Sequence, residues 1–173
     1  TKRVKTRPRT RLVTLTEVDA LLPIARKTGP GATIQVLCAR AALLCLRRPP
    51  EILALRPADL LDEGIAFSAA KRKAGEAQRR TVIAWSDELR ATIAEAQAVK
   101  RRVDISPLVF GNLDGGRYTK SGWGANWRRL MAKAKKEIEG FEPFTLQDCR
   151  PGGVTVKKER GDTDTQDATM HAD

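Results

Sequence analysis

Apolar positions along the chain fall into helical stripes, then a continuous block, then a brief switch to strand period. Val18, Leu21, Leu22 and Ala25 recur at helical spacing behind Thr16-Glu17-Val18-Asp19, a weak capping box. They predict an amphipathic helix that Gly29-Pro30-Gly31 ends. Ala32 to Leu46 is almost entirely apolar, the pattern of a helix buried on every side. Pro49 and Pro50 disfavour helix before them and suit a first helical turn. Arg48 is therefore predicted in a short connection, with a short helix from Glu51 to Arg56. Beyond Pro57 the period changes: Ile65-Ala66-Phe67 and Thr81-Val82-Ile83-Ala84 are β-type runs joined by a cation-dense connection, Lys71 to Arg80.

Ser86 caps the next helix, with Asp87 and Glu88 in its first turn and Lys100, Arg101 and Arg102 in its last, the sense the helix dipole favours. Leu108-Val109-Phe110 is a short apolar run and Asp114-Gly115-Gly116 a turn. From Ser121 to Ile138 a helix carries Trp123, Trp127, Leu130 and Ala134 on one side. Arg128, Arg129, Lys133, Lys135 and Lys136 crowd the rest of it. The tryptophans read as core anchors ahead of base-stacking platforms. Gly140 stops this helix, and Phe144 to Arg150 reads as another, capped by Thr145 with Asp148 three residues on. The expected fold class is mainly α with a small antiparallel β-sheet (α+β), in one domain over residues 15–173. Residues 1–14, with six cations, form a basic arm that either tracks a phosphate backbone or is a linker remnant.

Charge narrows the partner. The formal net charge of +11 and pI near 10.1 call for a polyanion, either nucleic acid or an anionic membrane face. No run of roughly 18 apolar residues is present, and no apolar stretch follows the basic N-terminus as in a signal peptide. Nucleic acid is the better partner, and no membrane role is expected. Cys38, Cys45 and Cys149 are odd in number and lack zinc spacing, so they read as buried thiols in a reducing compartment. The single histidine, His171, cannot build a histidine metal cluster, and neither a metal nor another cofactor is expected.

Arg48 changes the picture most. A guanidinium held between a buried helix and a helix start is well placed to clamp a phosphate, although on this stretch alone a simple pairing with Glu51 is the favoured reading. Leu46-Arg47-Arg48-Pro49-Pro50-Glu51-Ile52-Leu53-Ala54-Leu55-Arg56, then Lys73-Ala74-Gly75, then Phe144-Thr145-Leu146-Gln147-Asp148-Cys149-Arg150, and finally Gln166 to His171 resemble, in order and spacing, the catalytic domain of tyrosine recombinases, the phage-integrase family. The resemblance implies that Arg48 and Arg150 are the two catalytic arginines, Glu51 a supporting acid, and Lys73, with Lys71 a rival, the general acid on a β-hairpin. His171 falls in the segment of the third-box histidine, and Gln147 opens the second box. Arg47, Lys71, Arg72, Arg79, Lys120 and Arg128 are the further candidates for contacting nucleic acid. The partner implied is double-stranded DNA, with self-association on it and no metal. The implied setting is a bacterial cytoplasm, phage or prophage encoded.

Departures from the family pattern bear on activity. Gln147 stands where a histidine is usual; it can hydrogen-bond a phosphate but not shuttle a proton. Pro151 stands where histidine is often found, and Met170 where a glycine usually precedes the last histidine. The family nucleophile is a tyrosine near the C-terminus, and the only tyrosine here is Tyr118, in a turn that does not align with it. The resemblance therefore implies a catalytic domain incomplete at its C-terminus and inactive as this chain. The alternative is a non-catalytic, integrase-derived protein that acts by occupying DNA sites. A basic RNA-binding or scaffold protein ranks below both, since no RNA-module signature is present.

Overall fold

In the computed structural model, residues 11–68 and 80–150 are described. The largely apolar block is its axis. Helix α2 (Pro30–Cys45) buries eleven of its sixteen residues and packs against α1 (Leu15–Thr28), α3 (Pro49–Leu53), α4 (Asp87–Ala98) and α5 (Lys120–Glu137). A two-stranded antiparallel sheet, β1 (Gly64–Ser68) with β2 (Arg80–Ala84), pairs Ile65 with Ile83 and Phe67 with Thr81. The architecture is the expected one, mainly α with a small antiparallel sheet. No described helix is long and apolar enough to cross a membrane.

Polar side chains in α2 fasten it to its neighbours. Arg40 donates to Asp19 Oδ1 of α1 (2.6 Å) and to the Glu88 carbonyl of α4 (2.8 Å). Gln35, fully buried, donates Nε2–H to the Trp123 carbonyl of α5 (3.1 Å). Each bond offsets the desolvation that burying a polar group costs. Trp127 is 4% exposed and donates Nε1–H to the Phe144 carbonyl (2.6 Å), which ties α5 to the segment ending at Arg150. It is the core anchor expected. Trp123, partly buried, stacks on Trp127 with ring centroids 5.9 Å apart.

The observed elements differ from the expected ones at their ends. The cap of α1 is Thr14, not Thr16: Thr14 Oγ1 accepts the Glu17 N–H and Glu17 returns a carboxylate oxygen to the Thr14 N–H (2.9 Å). The Glu-at-third-position rule points to Thr14 once Val13, 1% exposed, is recognised as core. Pro30 and Gly31 open α2 as well as separate it from α1, because Gly29 at φ 136° makes the corner in one residue. Helix α3 starts at Pro49 and stops at Leu53, earlier than expected. Lys100, Arg101 and Arg102 lie past the end of α4; Arg101 folds back and donates to the Ala96 and Val99 carbonyls and to that of Val109 (2.8 Å). The last element opens as a 3₁₀ turn, Leu146–Asp148, with Thr145 at its N-cap as expected, and Cys149 and Arg150 continue it in helical conformation.

Candidate phosphate-binding site

Three consecutive residues between α2 and α3 take different directions. Leu46 ends α2 in the left-handed conformation (φ 56°, ψ 29°) with no exposed surface. Arg47 turns inward and is 1% exposed, its guanidinium carbon 4.8 Å from the centre of the Phe67 ring on β1. Arg48 is exposed. That reversal needs a sharp corner, which the left-handed residue supplies.

Glu51 does not neutralise Arg48. Its Oε2 accepts the backbone N–H of Arg48 (2.8 Å), capping α3, and among the described residues no carboxylate forms an ion pair with the Arg48 guanidinium. The simple side-chain pairing of Arg48 with Glu51 is therefore not made. Arg150 arrives from the far end of the chain, and its Nε–H donates to the Leu46 carbonyl (3.3 Å). Burial lowers its pKa first, the positive charge of Arg48 lowers it further, and Glu51 opposes both. Arg48, Glu51 and Arg150 thus lie within electrostatic reach of one another, although Arg150 comes 99 positions after Glu51 in the sequence.

Beside this cluster runs an open groove of about 710 Å³, walled by Pro49, Pro50 and Leu53 on one side and by the start of α5 on the other. Gln147, Lys120 and Arg128 line it, so three of the sequence candidates meet there. Lys71, Arg72, Lys73, Arg79 and His171 lie outside the described residues. Arg47 is the candidate whose position differs from the expectation. Expected to touch nucleic acid, it is the largest fully buried side chain of the described protein, because its neighbour takes the surface position. Arg117 and Thr119 also line the groove and were not singled out from the sequence. The signal was the helix start, where Thr119 accepts the Gly122 N–H (3.0 Å) and so sets both residues beside α5.

Tyr118 is a poor nucleophile. Its hydroxyl is buried without a hydrogen-bond partner among the described residues, and its ring packs edge-on against Trp123 at 5.1 Å. Burial first, then the Cys38 thiol, pushes its pKa up to about 12. A phenol that resists ionisation and is withdrawn from solvent cannot attack a phosphate from this position.

The arrangement is similar to solved structures. Over 100% of this chain and 62% of the other, it matches a lambda integrase fragment, residues 75–356, in a dimer bound to a core site, with TM-score 0.69 and 15% identity. The Tn1549 transposon integrase in complex with circular-intermediate DNA matches over 98% of this chain and 59% of its own, with TM-score 0.70 and 18% identity. This chain has the tyrosine-recombinase catalytic-domain fold. The lambda integrase catalytic core matches this tyrosine-recombinase fold over 93% of this chain and 94% of its own, with TM-score 0.62 and 15% identity. The chain spans about three fifths of the first two neighbours. No family model matches the sequence, and no curated protein matches it.

Proposed function

We propose that the chain is the DNA-binding catalytic domain of a site-specific tyrosine recombinase, of phage or prophage origin, that handles a phosphodiester of duplex DNA. The observation that carries this reading is the Arg150–Leu46 hydrogen bond, which joins the two arginine segments beside an Arg48 that forms no ion pair among the described residues. Two convergent guanidiniums present fixed donors to the non-bridging oxygens, where charge grows during displacement at phosphorus. Gln147 and Lys120 in the adjoining groove would hold the backbone without reading bases. Lys73 or Lys71 would protonate the departing 5′ oxygen, while a tyrosine oxygen bonds to the 3′ phosphate. His171 would assist that proton transfer. The structural neighbours include complexes with DNA and a lambda integrase tetramer bound to a Holliday junction, which supports DNA as partner and self-association upon it.

Arg48→Ala and Arg150→Ala should each weaken duplex binding by more than Lys136→Ala, a change at an exposed α5 cation. Equal small losses at all three would refute a formed phosphate pocket.

A second reading, occupancy of DNA sites without cleavage, is favoured by Gln147 and by the buried Tyr118 hydroxyl. The encoding DNA past the codon for Asp173 separates the two. A downstream tyrosine in frame, together with a covalent adduct on a nicked duplex, selects the recombinase; a stop codon selects site occupancy.

A further inference from the structure

Arg47 is anomalous in a way that packing does not explain. Its Nε–H and Nη2–H are buried with no hydrogen-bond partner among the described residues. Among the described residues no carboxylate forms an ion pair with it, and the face of the Phe67 ring lies against its guanidinium. Arginine cannot escape by losing its proton within a protein. A cation in this position opposes folding, and an apolar side chain of similar length would fill the space at lower cost.

The charge is well placed to serve the site above it. Arg47 is covalently adjacent to Arg48 and feels the charges of both Glu51 and Arg150. Among the described residues the cluster sets three guanidiniums beside the Glu51 carboxylate, an arrangement that favours an anion. A phosphodiester carries one negative charge, and its five-coordinate state during attack by an oxyanion carries two. A cation fixed in a low-dielectric interior acts on such a group more strongly than a solvated one and needs no reorganisation. We propose that Arg47 is an electrostatic floor beneath the phosphate site, a positioning residue that strengthens anion binding without touching the anion and turns Arg48 outward. The proposal rests on the phosphate reading given above.

The test compares Arg47→Met, Arg47→Gln and Arg47→Lys with the parent chain and with Lys136→Met, using anisotropy of a short fluorescein-labelled duplex. Both uncharged variants should lose about three- to tenfold in affinity, and Arg47→Lys should regain most of it. Buried charge is screened little, so this ratio should hold between about 50 and 200 mM salt, whereas the Lys136→Met effect should fade. Urea midpoints of the uncharged variants should equal or exceed the parent's. Parental affinity in either folded uncharged variant overturns the proposal. So does a loss that Arg47→Lys shares in full, since shape would then matter and charge would not. If neither uncharged variant folds, Arg47 is a packing residue and the proposal fails. Should Arg48→Ala and Arg150→Ala also bind as the parent does, the phosphate reading itself has failed. If those two weaken binding while the Arg47 variants do not, only the floor is lost.

Discussion

Leu46 offers a stability test in which the usual ranking of residues should vanish. It is fully buried and holds φ 56°, ψ 29° between α2 and the arginine pair. Truncation to alanine removes a buried isopropyl group, at a cost of about 2–5 kcal/mol. It also leaves an L-residue in the left-handed region, where the strain is about 1–2 kcal/mol. Truncation to glycine relieves that strain, but it removes one more buried carbon, worth about 0.8 kcal/mol, and extra freedom in the unfolded chain costs about 0.5–1 kcal/mol. Leu46→Gly should therefore be less stable than the parent and within about 0.5 kcal/mol of Leu46→Ala. In a helix interior glycine is worse than alanine by about 1 kcal/mol. Urea unfolding followed by tryptophan fluorescence separates the two cases: the midpoints should agree within about 0.25 M, against about 0.5 M for a helix interior, for a slope of about 2 kcal/mol/M. An alanine variant more stable than the glycine variant by about 1 kcal/mol or more would show that Leu46 can leave the left-handed region freely. The corner that sends Arg47 in and Arg48 out would then not depend on it.

Three further outcomes follow from buried or bridged groups. Because Tyr118 is the single tyrosine, absorbance at the tyrosinate band reports it alone, and its midpoint should lie near 12 instead of 10. That raised value stabilises the fold below pH 10 and the contribution is lost as pH rises from 10 towards 12; an ordinary midpoint in the folded protein would contradict the burial. Burial raises the Glu17 carboxyl pKa, but hydrogen bonds from Arg11 and Thr14 and the Arg11 charge together hold it below its usual 4.5. Its stabilising contribution is therefore present above pH 4.5 and lost as pH falls below it, so Glu17→Gln should flatten the acid limb of the stability curve; an unchanged limb would count against the bridge. Cys38, Cys45 and Cys149 are all buried, and burial pushes the Cys149 thiol up to about 12, so alkylation should track global unfolding; a thiol modified at once in native buffer would refute that packing.

The parts of the fold that were legible in the sequence are those where one pattern dominates. A largely apolar block from Ala32 to Leu46 permits little besides a buried helix, and the β-type runs Ile65-Ala66-Phe67 and Thr81-Val82-Ile83-Ala84 permit little besides paired strands. Element ends were less legible because they are decided by single contacts. The Thr16-Glu17-Val18-Asp19 pattern sets the cap of α1 at Thr16, whereas the paired bonds between Thr14 and Glu17 set it at Thr14. Lys100 to Arg102 look like a dipole-favoured last turn, but Val99 leaves the helix at ψ 122° and Arg101 reaches back to satisfy the carbonyls from outside. The charge logic was right and the geometry was not.

The candidate site shows the same division more sharply. Arg48, Glu51 and Arg150 could be nominated from spacing, because a resemblance carried over residue by residue keeps chain order. What spacing cannot convey is which of two adjacent arginines faces solvent. Arg47 and Arg48 are identical in type, so no propensity separates them; a left-handed residue before them and an aromatic ring across the way do. Neither can be read locally, since Leu is a rare choice at positive φ and Phe67 comes 20 residues after Arg47. One further consequence follows for how this site tolerates change. Exchanging Arg48 for lysine keeps an exposed cation but loses the planar fork. Exchanging Arg47 for lysine keeps a buried cation but weakens its stack on Phe67. The first should impair phosphate geometry and the second mainly packing, so the two neighbouring substitutions, alike on paper, should separate cleanly into a binding defect and a stability defect.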